Sequence, residues 1–280
     1  MVNFGWRRVL ALLAVLGAAT GTAMPAHAQG DLLVAPTRII LDGRRSAEVV
    51  LNNIGATPAT YRITLEIKRM TPDGRLELIA PDALTDAERA MQEMLVFSPR
   101  RVTLPPNQPQ VIRLSARWPE GLADGEYRGH LLFRAIPDAR PVTDGGVAVS
   151  SGGVAISLVP IYGVTIPIIV RRGQLSATAA LALPRIIEEV PGRPVFQLDI
   201  SRSGDRSVYG EILVTVPGQT MPVIVVRGVG VYTELNQRTL NLAITPEQAA
   251  LLRGQEVTVR YIEDRDAGSG LIAELAGVRM

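Results

Sequence analysis

The chain of 280 residues contains no cysteine. That excludes disulfide staples, thiol catalysis and thiolate-held metal sites. Histidine is nearly absent too. There are two, His27 and His130, and His130, in a strand-like stretch beside Leu131, reads as structural rather than catalytic. Aromatic residues make up only 4% of the chain, so its cores must be filled by aliphatic side chains. No sign of charge dominates: 29 basic side chains face 27 acidic ones. No serine stands in a nucleophile-elbow setting, and no glycine cluster opens a helix as a phosphate loop does. Asp264-Arg265-Asp266 before Gly268 lacks the later ligands of a calcium loop and reads as a hairpin turn. These absences argue against an enzyme, a metal site and a nucleic-acid binder. No cofactor is expected.

What is present begins with a leader. Arg7 and Arg8 form a basic start, Val9 to Ala19 an apolar core, and Ala26-His27-Ala28 a small-residue cleavage site. The expectation is cleavage after Ala28 and export. The apolar core is too short for a permanent anchor, and no other stretch spans a bilayer cleanly. Losing Arg7 and Arg8 leaves 27 basic against 27 acidic side chains. The remaining 252 residues suffice for two domains.

The longest apolar run after the leader is 154–172, VAISLVPIYGVTIPIIVRR. Its β-branched residues suit a strand. Pro160 and Pro167 exclude a continuous helix and, lacking N–H groups, point to an edge strand. An apolar edge left open invites another chain to pair with it. A continuous apolar run is also how a buried core strand reads.

Around this run the pattern is short strands and turns: Leu32 to Leu41, Ala47 to Asn52, Tyr61 to Met70, Val96 to Leu104, Val111 to Ala116 and Tyr127 to Ile136. Leu84 to Leu95 reads as a helical or irregular insert, with Thr85 as its N-cap. Residues 137–153, rich in Gly, Pro, Asp and Ser, read as a loop. Tyr127, three residues after Asp124, fits a tyrosine corner. Gly173 marks a joint. Beyond it come Leu175–Leu183, Val195–Ser201, Val208–Val216, Val223–Tyr232, Arg238–Ile244, Val257–Ile262 and Leu271–Val278, with a short helical piece at Pro246–Leu252. About seven short strands per half is the spacing of Ig-like sandwiches.

Four stretches carry a family resemblance: Thr37-Arg38 with the Asp42-Gly43 turn; Phe97-Ser98-Pro99-Arg100 followed by Leu104-Pro105-Pro106-Asn107-Gln108 and Val111-Ile112-Arg113-Leu114; Asp124-Gly125-Glu126-Tyr127 running to Ile136-Pro137; and the apolar run ending in Arg171. In this order, behind a leader, they resemble the PapD-like periplasmic pilus (fimbrial) chaperones. The resemblance implies an all-β fold of two Ig-like β-sandwich domains set at an angle with a cleft between them. Residues 29–172 would form the N-terminal domain and 173–280 the C-terminal one.

Such chaperones lend one strand, G1, to a subunit whose Ig fold lacks its last strand, a case of β-strand addition. The resemblance places G1 on the central run. Val154, Ile156, Leu158, Tyr162, Val164 and Ile166 share one face by parity and would meet the subunit. It places Arg38 in the cleft, at the arginine that anchors a subunit carboxylate, and puts Pro167 where the family has the second, lysine anchor. It further implies a charge cluster of Glu126, Arg171 and Asp264 across the domain joint. Without the resemblance, Arg38 reads as an ordinary surface arginine and the three joint residues as unrelated surface charges. The partners implied are fimbrial or pilus subunits, an outer-membrane usher, and weak self-association through the G1 edge. The other class the sequence allows is an Ig-like structural or adhesion protein of the envelope that keeps its edge covered.

Overall fold

The computed structural model describes residues 32–137, 161–264 and 270–280. The first half contains β1 (Leu32–Ala35), β2 (Ile39–Leu41), β3 (Ala47–Asn53), β4 (Ala59–Glu66), β5 (Lys68–Met70), β6 (Leu76–Leu78), helix α1 (Asp86–Met94), β7 (Leu95–Ser98), β8 (Arg101–Leu104), β9 (Pro109–Ala116), β10 (Gly125–Ile136) and β11 (Gly163–Arg172). Two sheets result, ordered β1-β3-β9-β7 and β2-β11-β10-β4-β8, with β5 and β6 forming a separate hairpin.

The second half contains β12 (Ala177–Ile187), β13 (Val195–Gly204), β14 (Val208–Thr215), β15 (Ile224–Val231), β16 (Gln237–Ala243), helix α2 (Pro246–Leu252), β17 (Glu256–Glu263) and β18 (Leu271–Arg279). Its sheets run β12-β13-β16 and β15-β14-β17-β18. The molecule is an all-β fold of two Ig-like sandwiches.

Period-two alternation builds the strands. Along β14 every second residue from Val208 to Val214 is buried, as a strand with one face on a core requires. Both helices start where a threonine can cap them. Thr85 and Thr245 each accept from the third helical N–H, while Glu88 and Gln248 reach back to the cap N–H. Tyr127 donates its hydroxyl to the Ala123 carbonyl at 2.8 Å, closing a tyrosine corner. Each sandwich has its own aliphatic core. Ile63, Leu131, Phe133 and Ile168 fill one; Phe196, Leu198, Ile212 and Val259 fill the other.

Two stretches that read as single strands change sheets midway. The stretch Leu32 to Leu41 breaks after Ala35, so β1 joins one sheet and β2 the other; the stretch Val96 to Leu104 breaks at Pro99-Arg100 in the same way. Proline removes a ladder donor at each break. The first switch shapes the site, because it limits β2 to three residues.

Candidate functional site

The strand switch leaves part of β11 unpaired on one side. β11 pairs antiparallel with β10 along its whole length, Gly163 opposite Arg134 to Arg172 opposite Gly125. On its other side β2 pairs in parallel only with Ile168, Ile169 and Val170. No described strand pairs with Gly163–Pro167 on that side. Among the described residues the run is therefore an interior strand at 168–170 and an edge strand at 163–167. The edge expected from the two prolines is confined to the N-terminal half of β11.

Alternation assigns the free groups. The Tyr162 carbonyl accepts from the Ala135 N–H at 3.0 Å, so Tyr162 faces β10 and the amides of Gly163 and Thr165 point to the unpaired side. Pro167 points there too and offers a carbonyl alone. Its missing N–H costs the β10 ladder nothing, which is why proline is tolerated here.

The side chains of this edge divide sharply. Ile161 and Tyr162 are 47% and 48% exposed, large apolar groups standing beside the open edge. Val164 is half-buried against the first core. Ile166 calls for a correction. It shares parity with the expected subunit-facing row, but it is 1% exposed and packs in the protein's own core with Ile168 and Val170. The row turns inward there because β11 has become part of the sandwich. Val154, Ile156 and Leu158, the rest of that row, lie outside the described residues.

Arg38 stands at the mouth of this edge. It immediately precedes Ile39, which pairs with Ile168, so the same register sets Arg38 beside Pro167. Its guanidinium carbon lies 4.2 Å from the Tyr209 ring centroid, a cation–π stack between the two halves of the molecule. Nε and Nη2 are buried without a hydrogen-bond partner. Burial lowers its pKa, the phenol of Tyr232 opposes that, and Arg171 adds a like charge. Next to it opens a cavity of about 780 Å³, with Thr37 on one wall and Tyr209, Glu211, Arg227 and Asp264 among the residues of the other. Arg38 thus carries a half-buried guanidinium whose Nε and Nη2 are shielded from solvent and lack hydrogen-bond partners, beside a cavity that its neighbours Thr37 and Tyr209 line.

Of the expected charge cluster, the structure brings two members together. Glu126 and Arg171 sit directly opposite each other on β10 and β11, and Arg171 Nε donates to Glu126 Oε2 at 2.9 Å. The same oxygen accepts from the Ser207 backbone N–H at 3.1 Å, so the pair ties the first half to the second. The Glu126 side chain is 1% exposed. Asp264 stands apart, on the cavity wall, and makes no ion pair with Arg171 among the described residues. The partner of Glu126 across the joint is a backbone amide instead.

A second lock escaped the sequence. Glu234 accepts from the Met70 backbone N–H at 2.7 Å and pairs with Arg128. The Arg128 side chain is 7% exposed and lies 3.7 Å from the Tyr232 ring centroid. Tyr232 packs with Met70 and Ile169 in a small apolar cluster between the halves. The β5–β6 hairpin adds a strut, since its Pro72 carbonyl accepts from the Thr239 N–H at 2.8 Å. At its tip Gly74 has φ +86° and leaves no room for a Cβ beside the Arg238 guanidinium. The sequence signal that could have found this hairpin is the Pro72-Asp73-Gly74 turn.

One side chain braces the second-half groups that meet the first. Arg202 is buried and donates to four carbonyls, those of Leu235, Gly204, Arg206 and Thr233. It thereby links the loop before Ser207 to the loop holding Glu234.

No family model matches the chain, and neither does any curated relative. Among solved structures the chain is similar to the YadV chaperone, at 14% identity and a TM-score of 0.44, over 88% of this chain and 100% of that one. It is similar to the Pseudomonas aeruginosa CupB2 chaperone at 13% identity and 0.43, over 89% and 100%. A chain of the CsuC–CsuE chaperone–tip adhesion subunit pre-assembly complex of Acinetobacter baumannii is similar at 12% identity and a TM-score of 0.43, over 77% and 91%.

Proposed function

We propose that this protein is a non-catalytic periplasmic assembly chaperone that binds fimbrial or pilus subunits by adding a strand to them. The observation that carries the reading is the open edge of β11 at Gly163–Pro167, flanked by exposed Ile161 and Tyr162, beside the half-buried Arg38, whose Nε and Nη2 lack hydrogen-bond partners. A subunit lacking one strand of its sandwich offers an apolar groove and unsatisfied backbone groups. The β11 edge supplies the amides of Gly163 and Thr165 and the adjoining side chains to both. Arg38 supplies a cation for a carboxylate in the cleft. With proline at 167, that anchor is a single arginine stacked on Tyr209.

The same reading takes residues 1–28 as a removed leader, 29–172 as the subunit-binding domain and 173–280 as the second domain, with an outer-membrane usher as the receiver of the complex. Affinity capture from periplasm followed by mass spectrometry tests it. Recovery of small proteins whose sequences show an incomplete Ig pattern is the expected result. Recovery of none, with the edge shielded from exchange in the free chain, favours the envelope structural or adhesion protein.

A further inference from the structure

Three arginines stand in line across the sheet that contains β11. Arg101 on β8 is directly opposite Arg62 on β4, and Arg62 is directly opposite Arg134 on β10. Their strand neighbours Val102, Tyr61, Ile63, Leu131 and Phe133 point into the core, so all three arginines point outward, and all three are exposed. Adjacent strands lie ~4.8 Å apart, so the row is about 10 Å long. None of the three has an ion-pair partner among the described residues. The row ends at Gly163, which faces Arg134 across the β10–β11 ladder.

Like charges set directly opposite one another weaken a sheet. Arginine on a border strand guards against unwanted pairing, and β8 is a border strand. That explanation fails for Arg62 and Arg134, which lie on interior strands. By parity the row also shares its face with Glu126, eight residues down β10, and so stands on the side of the sheet that meets the second half.

We infer that this row is a docking surface for an acidic protein segment, one that presents carboxylates about 5 Å apart, as neighbouring residues on a helix face do. Guanidinium groups pair with carboxylates through two parallel hydrogen bonds. The row is flat, so the partner is a surface rather than a small anion. A lipid surface fits less well, because peripheral membrane binders set apolar anchors among their cations. Here the apolar residues that share the face beside Arg134, Leu132 and Ile136, are partly buried rather than projecting. The flanking residues of β4 and β8 are Thr60, Thr64 and Thr103, with Thr60 and Thr103 bonded to each other at 2.9 Å.

The test titrates the full chain with hexaglutamate and follows the arginine Nε–H signals by NMR. The signals of Arg62, Arg101 and Arg134 shift together, and added salt weakens the binding. The triple variant Arg62→Gln, Arg101→Gln, Arg134→Gln loses about tenfold in affinity. A control with the same charge change at scattered exposed sites, Arg44→Gln, Arg193→Gln, Arg279→Gln, keeps it within about twofold. The row variant melts at or above the parent temperature, because aligned repulsion is gone. Equal losses in the two variants overturn the inference, as does a row variant that melts lower. Row-dependent binding to phosphatidylglycerol vesicles without binding to hexaglutamate assigns the row to a membrane and overturns it too.

Discussion

Glu126 Oε2 accepts two hydrogen bonds at once, from Arg171 Nε across the β10–β11 ladder and from the Ser207 backbone N–H of the other half of the molecule. One buried carboxylate oxygen thus joins a strand pair of the first sandwich to the start of β14 in the second. Removing either charged partner strands the other away from water, which costs about 3–5 kcal/mol at a buried pair. Arg171→Ala is expected to lower stability by roughly the lower end of that range, since Arg171 is partly solvated. It should also broaden the domain angle seen by small-angle scattering. Asp264→Ala, outside the pair, should change stability by under ~0.5 kcal/mol. Equal effects of the two substitutions contradict the two-member joint.

Arg38→Met separates function from stability. The arginine carries two buried donors without partners, and replacing such a group by an apolar one of similar size is often neutral or stabilising. The melting temperature should hold or rise, while recovery of subunit complexes falls. A large drop in melting temperature would make Arg38 a structural residue.

His130 sets a pH dependence. It is buried, and burial first, then the cations Arg128 and Lys68, push its pKa down to about 3. The unfolded chain takes up this proton near pH 6.5. Between those two values the unfolded state binds more protons than the folded one, so stability falls as the pH drops below 6.5. The slope is about 1.4 kcal/mol per pH unit, or ~2 kcal/mol lost at pH 5. Urea unfolding at pH 7 and pH 5 measures it. The difference should largely vanish in His130→Leu, and an unchanged difference there contradicts the assignment.

Arg202→Lys keeps the charge and removes the fork that spans four carbonyls. We expect a loss of about 2–4 kcal/mol, since bonds to a charged donor contribute ~1.5–3 kcal/mol each and lysine recovers some of them. Amide exchange should speed up at Ser207 and Glu234 ahead of the β13–β14 core. Exchange that rises only in that core contradicts the bracing role.

Much of the fold was legible because strands announce themselves locally. The alternation at Tyr61 to Ile67 and at Val208 to Val214 survives into the structure, as does the Thr85 cap of α1. The joint was legible only where a family motif marked it. Met70 and Glu234 are 164 residues apart, and a contact of that range leaves no period in the sequence. Parity grouped Ile166 with its neighbours correctly, yet parity cannot say whether a face looks into the chain's own core or towards a partner. That depends on where β2 begins, which the break at Pro36 decides. The arginine row was hidden for a similar reason: Arg62, Arg101 and Arg134 are aligned only by strand register.

Amide hydrogen exchange at Gly163 and Thr165, with and without a captured subunit, tests the central claim most directly. In the free chain both amides point to the unpaired side and should exchange quickly, while Val164 and Ile166, bonded to β10, stay protected. Subunit binding should protect Gly163 and Thr165 and leave the other two unchanged. If a stable complex forms while Gly163 and Thr165 still exchange as in the free chain, the β11 edge is not the strand that the subunit receives.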